Sequence, residues 1–222
     1  MKDLGSAFSF PFKDPQWVSK LALGMVFVFL SLFVVGALFL IGYLVETTER
    51  VMRQQRPLLP AWDRLGAKFV LGLKFVLVIV VYLIPLFLLS LPVLALTIAG
   101  GFSENPDVYG AFSVVYSFGM TLLLVPYSLA LSVLLPIIIY RFANRERIGD
   151  AVDIAAVVRD FRHNWQNTVL VALIAVVVQS LAGIGIVFMV VGALFTVLYA
   201  CLISAYLVGA LSAERREAGG TA

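Results

Sequence analysis

The chain holds one histidine, His163, and one cysteine, Cys201, so its chemistry has few residues to draw on. His163 has no second ligand type beside it and is expected to cap or solvate a helix end. Cys201 sits in an apolar run, has no partner for an internal disulfide and says nothing of redox compartment. No phosphate-binding loop, no HExxH, no GxSxG and no Cys/His cluster with metal spacing occurs. RIGD at 147–150 contains the glycine–aspartate pair of an intramembrane aspartyl protease. It lacks the first glycine and a second intramembrane aspartate. No catalytic, cofactor-binding or metal-ligating residue is assigned, and a protein that is not an enzyme is expected.

What remains are polar groups inside apolar runs: Thr121, Ser128, Gln179 and Ser180. In a membrane such groups more often bond across helices than hold a substrate. Pro85 and Pro92 fall in one run, Pro126 and Pro136 in the next, and prolines kink helices. If the chain turns near residue 105, Pro85 and Pro126 lie at similar depth and frame a cavity for a lipid or another apolar ligand. Curvature for packing is the plainer reading and is preferred. In the last run, Ala200/Ser204 and Ala205/Gly209 are small residues four apart, which let backbones approach. An internal helix contact is preferred to a dimer seam.

The elements that must position these residues are membrane helices. Of 222 residues, 62% are hydrophobic and 13% charged, with a mean hydropathy of +1.03. A soluble domain has roughly 45–50% apolar and about 25% charged residues. The net charge of +3 is better explained by loop topology than by nucleic acid, which is excluded as a partner. Membrane lipids, and other membrane proteins or a second copy, are the expected partners; no cofactor is expected. No cleavable signal peptide is expected, because the first long apolar run is not a short core followed by small residues.

A bilayer core about 30 Å thick needs roughly 20 residues of helix. The chain therefore divides into an interfacial foot (1–20), a first membrane segment (21–45), an inner linker (46–68), a span (69–99), an outer loop (100–112), a span (113–140), an inner helix (141–167), two spans (168–212) and an inner tail (213–222). Gly183, Gly185 and Gly192 mark the turn within the double span. The fold class expected is an all-α polytopic bundle with five or six membrane-inserted helical segments.

Lys and Arg collect in cytoplasmic loops. They crowd 46–68 (Arg50, Arg53, Arg56, Arg64, Lys68) and 141–167, and Arg215 and Arg216 occupy the tail. Segment 100–112 has only Glu104 and Asp107 and is assigned outside. Lys2, Lys13 and Lys20 place the N-terminus inside, yet a single crossing by 21–45 would place it outside. Those residues reach about 38 Å as helix, enough for one span and too short for two. A re-entrant hairpin broken near Ser31 or Gly36 satisfies the charges, provided protein buries the bend.

FSFPFKDPQW at 8–17 is too polar to cross and too aromatic for an ordinary tail. Asp14 before Pro15 signals a helix start. Phe8, Phe10, Phe12 and Trp17 are assigned as interfacial anchors, since aromatic rings favour the headgroup layer; a partner-binding strand is the alternative. Trp62, in RPLLPAWDRLG, and Trp165 are assigned likewise. At about 100° per residue, Ile148, Ala151, Val152, Ile154, Ala155, Val158, Phe161 and Trp165 form one face of an amphipathic helix over 147–165, opposite Asp150, Asp153 and Asp160. Arg159 and Arg162 lie near its apolar arc and are expected to snorkel to phosphates.

DLGSAFSFPFKDPQW (3–17), LIGYLVETTERVMR (40–53), PLLPAWDRLGAKFVLGLK (57–74), IYRFANRERIGDAVDIAAVVRDFRHNW (139–165) and AYLVGAL (205–211) resemble the bacterial and archaeal membrane proteins grouped as domain-of-unknown-function family 4013. The resemblance covers nearly the whole chain. It implies a proline-containing break in the first apolar run, whereas FLSLFVVGALF (29–39) has no proline. It implies no catalytic or binding residue. With the absence of intramembrane charge, these features lead to the expectation of an accessory or membrane-organising subunit in an inner membrane, its C-terminus cytoplasmic. The alternative is a transporter or binder of a lipid or other apolar molecule.

Overall fold

The computed structural model describes residues 4–102, 106–182 and 189–219. It is all-α, with no strand among the described residues. The helices are α1 (Leu4–Ser9), α2 (Trp17–Leu30), α3 (Val35–Met52), α4 (Leu65–Gly101), α5 (Pro106–Arg145), α6 (Ile148–Val152), α7 (Ile154–His163), α8 (Trp165–Ala182) and α9 (Met189–Gly219).

Among the described residues, three helical stretches are long and apolar enough to cross a membrane: Leu65–Gly101, Tyr109–Arg145 and Gly192–Leu211. A fourth is added if Gly5–Lys13 and Trp17–Phe33, bent by 102°, count as one broken span. That is fewer than the five or six inserted segments expected. The first apolar run is split in two, and the apolar part of α8, Trp165–Ser180, is shorter than a span. Of the expected turn, Gly183 and Gly185 lie outside the described residues, and Gly192 is within α9. The chain is a multi-pass integral membrane protein.

Contacts divide it into two units, Met1–Val78 with Val133–Ala222, and Ile79–Ser132. In the larger unit the first apolar run folds back on itself. A 3₁₀ turn at Ser31–Phe33 leads to Val34, whose φ of 58° interrupts the helix. Phe27 and Phe39 then meet with ring centroids 5.3 Å apart, whereas twelve residues of straight helix would separate them by about 18 Å. Gly36 is required at this bend, because a Cβ there would collide with the Leu30 backbone. The turn needs no proline.

The hairpin seats on α9. Gly24 faces Leu198, Gly209 lies against Val51 and the Thr48 carbonyl, and the Thr48 hydroxyl donates to the Ala205 carbonyl at 3.3 Å. Antiparallel α8 and α9 enclose a core of Val171, Val178, Ala200, Ile203 and Leu207. A second core joins Phe10, Leu21, Val28, Leu40, Tyr43 and Leu59 to Leu198 and Leu202. Burial of this kind contributes to stability as close packing rather than as escape from water, because lipid is already apolar.

The amphipathic helix expected over 147–165 is broken. The Asp153 side chain accepts from Ala156 N at 3.0 Å and caps α7, a local bond that competes with helix continuation. The break changes the helical phase. Val157 is buried, while Ile154 and Trp165 are exposed. Asp160 and Asp150 are not a solvent face either: Arg141 donates to the Asp160 carboxylate at 2.7 Å and to the Asp150 carbonyl at 2.6 Å.

The smaller unit comprises the remaining lengths of α4 and α5. The Tyr127 hydroxyl donates to the Tyr82 carbonyl at 2.7 Å, and that of Tyr116 to the Leu89 carbonyl at 3.2 Å. Phe87, Leu88, Phe112, Phe118 and Leu122 are exposed, the surface expected of helices that face lipid.

Candidate functional site

Three features of the larger unit gather polar or cavity-forming groups. The first is a clasp that joins the N-terminal foot to the linker. Helix α2 begins at Trp17, two residues later than the Asp14–Pro15 signal indicates. Asp14 accepts from Gln16 N at 2.8 Å and from Lys20 Nζ at 2.6 Å. Lys20 also donates to the Leu59 carbonyl at 2.9 Å, and the Trp62 indole N–H donates to the Lys20 carbonyl at 3.0 Å. Asp14 and Lys20 are both buried, and a buried pair of charges is tolerated when further hydrogen bonds complete it. Trp62 stacks on Phe27 at 4.5 Å and on Tyr43 at 4.2 Å. Half-buried, it braces the linker against the hairpin, in addition to any interfacial role.

The second is a charged recess of about 280 Å³ at the end of α3, lined by Glu46, Glu49, Arg50, Arg64, Lys68 and Glu146 among others. Lys68 is 1% exposed and reaches Glu46 Oε2 at 2.5 Å. Arg50 holds the other oxygen of Glu46 at 2.9 Å. Burial pushes the Glu49 carboxyl above its ordinary value, against the opposing pull of Arg53. Three acids face three bases here, so the recess is balanced in charge. No group of three or more His, Cys, Asp or Glu suited to a metal occurs among the described residues.

The third is an apolar cavity of about 200 Å³ bounded by five helices. Ile41, Leu44 and Thr48 come from α3, Phe75 from α4, Ile139 from α5, Gln179 from α8, and Cys201, Ser204 and Ala205 from α9. The Gln179 amide donates to Cys201 Sγ at 3.8 Å, a weak partner for a group that normally makes several strong bonds.

The residues singled out from the sequence are scattered by this geometry. Gln179 borders the cavity. Thr121, Ser128 and Ser180 instead donate to carbonyls of their own helices, those of Ser117, Val125 and Val176. Pro85 and Pro126 are exposed residues of the smaller unit. Of the anchors, Phe8, Phe12 and Trp165 are exposed, Trp17 is half-buried, and Phe10 is buried and stacked on Tyr206 at 4.7 Å. Arg159 and Arg162 are exposed. Ala200, Ala205 and Gly209 serve contacts within the chain, Ala200 in the α8–α9 core and the other two against α3. Ser204 borders the cavity and bonds back to Ala200.

Missed from the sequence were Lys20 and Lys68 as buried cations, half-buried Glu46 as the partner of Lys68, and Ile41, Phe75 and Ile139 as cavity wall. A charge at the end of an apolar run is a signal that it needs a partner, but spacing alone does not say which.

No curated protein and no solved structure matches the chain. The family described as Protein of unknown function (DUF4013) matches residues 25–197, which takes in the hairpin from the middle of α2 onward, the charged recess, α4, α5 and the start of α9. The chain belongs to that family.

Proposed function

We propose that the protein is a non-enzymatic membrane component that holds an apolar molecule, such as a lipid acyl chain, in the cavity between α3, α4, α5, α8 and α9. The cavity carries this reading. Its wall is almost wholly hydrocarbon, and a dry apolar cavity of about 150 Å³ suffices to bind benzene. One under-satisfied amide, Gln179, sits at its edge, able to fix a single polar group of the ligand while the wall takes the rest. None of the prolines at which the sequence points lines this cavity. Expectation of an accessory subunit rests on absent chemistry alone; the cavity is a positive feature and takes precedence.

The test is purification in mild detergent, then mass spectrometry of what travels with the chain and binding of a fluorescent fatty acid. Cys201→Phe fills the cavity from α9. Retained lipid and probe binding in the wild type, with probe binding lost in a folded Cys201→Phe, are expected. A wild type that retains no lipid and binds no probe sinks the proposal. A stoichiometric protein partner in place of lipid restores the accessory role.

A further inference from the structure

We propose that the recess between the N-terminal foot and the linker binds the anionic headgroup of a membrane phospholipid. This site is separate from the apolar cavity and does not depend on its occupancy. The recess measures about 530 Å³, within the roughly 300–1,000 Å³ typical of small-molecule sites. Two cations line it, Lys13 and Arg56. Both are exposed, and neither has an acidic or hydrogen-bonding partner among the described residues. The carboxylate in the same recess, Asp14, is already occupied by Lys20 Nζ at 2.6 Å and Gln16 N at 2.8 Å. The recess therefore carries surplus positive charge, from a planar guanidinium fork and a mobile ammonium, a combination that suits a phosphodiester.

The lining argues for a lipid over a free anion. Phe10 lies stacked on Tyr206, and these two rings and Leu58 give the recess an apolar lining beside the two cations. Inorganic phosphate would use the charges and leave that lining idle, whereas a phospholipid presents its phosphate to the cations and its first methylenes to the rings. Phe8 and Phe12, neighbours in sequence of the lining residues Phe10 and Lys13, are exposed, and aromatic side chains favour headgroup depth.

The experiment melts the full-length protein in mixed micelles with phosphatidylglycerol, with phosphatidylcholine, or with inorganic phosphate. Wild type is expected to gain about 3–5 °C from phosphatidylglycerol at roughly tenfold excess over Kd, and little from the other two. Lys13→Gln and Arg56→Gln should each weaken the affinity about fivefold and so roughly halve that gain, and the double variant should reduce it to about a tenth. Unchanged lipid-free melting of these variants, whose side chains are exposed, verifies their fold. Arg147→Gln, an exposed cation elsewhere, should respond as wild type. Equal stabilisation of the double variant and wild type, or by phosphatidylcholine and phosphatidylglycerol, overturns the site. Protection by inorganic phosphate as large as by the lipid overturns its assignment to a lipid.

Discussion

The Trp62 indole N–H meets the Lys20 carbonyl at 3.0 Å while its ring stacks on Tyr43, centroid to centroid at 4.2 Å and within 2° of parallel. One side chain thus ties the linker to both arms of the hairpin. Trp62→Phe keeps a stacking ring and loses the hydrogen bond, which should cost about 1 kcal/mol. Trp62→Ala loses both and should cost about 3–5 kcal/mol. Denaturation in detergent would check this; similar losses for the two would show that stacking contributes little.

Glu46 and Lys68 are unequal partners. Lys68 is almost fully buried and its salt bridge is to Glu46, whereas Glu46 also holds Arg50. Glu46→Gln strands a buried cation and should cost roughly 3–5 kcal/mol. Lys68→Met leaves Glu46 with Arg50 and should cost distinctly less. The order of the two melting temperatures decides the matter, and the reverse order would mean that Arg50 does not compensate.

Glu49 supplies a pH dependence. Burial raises its folded-state carboxyl above the ordinary 4.5, so between those two values the folded chain binds more protons than the unfolded one. The contribution is fully present below 4.5 and is lost as pH rises through the raised value. Glu49→Gln should flatten the profile of melting temperature over that interval. A profile unchanged by the substitution would place the burial effect elsewhere.

The fold-back of α2 on α3 has a topological consequence. Foot and linker are clasped together, so residues 16 and 55 should face the same aqueous side. In a Cys201→Ser background, Gln16→Cys and Gln55→Cys should react with an impermeant thiol reagent from one side only, and the same one. Phe33→Cys, at the exposed apolar tip of the hairpin, should be shielded. Labelling of positions 16 and 55 from opposite sides would require a single crossing in place of the hairpin.

Hydropathy made the long helices legible, since apolar runs of that length have few other uses. Their ends were not: α4 begins at Leu65 and α5 continues to Arg145, because helix persists past the apolar stretch once Lys68 and Arg141 find partners. The hairpin was legible only as a conflict between run length and charge, and Gly36 was its local mark. Asp153 broke an expected helix because capping depends on side-chain geometry that periodicity does not carry. The cavity stayed hidden for another reason. Its wall comes from five helices distant in sequence, and prolines, which bend one helix, say nothing about where several diverge.

Gly42 and Gly72 face each other's helices where α3 crosses α4. A Cβ on Gly42 would strike the Lys68 carbonyl, and one on Gly72 the Leu38 carbonyl. The obstacle in each case is main chain, which no neighbouring substitution can trim. Most sites in a protein drift by exchanging bulk with their surroundings, one change licensing the next. This crossing offers no such exchange. It is a fixed point in the mutational landscape of the chain, and the rest of the bundle has to vary around it.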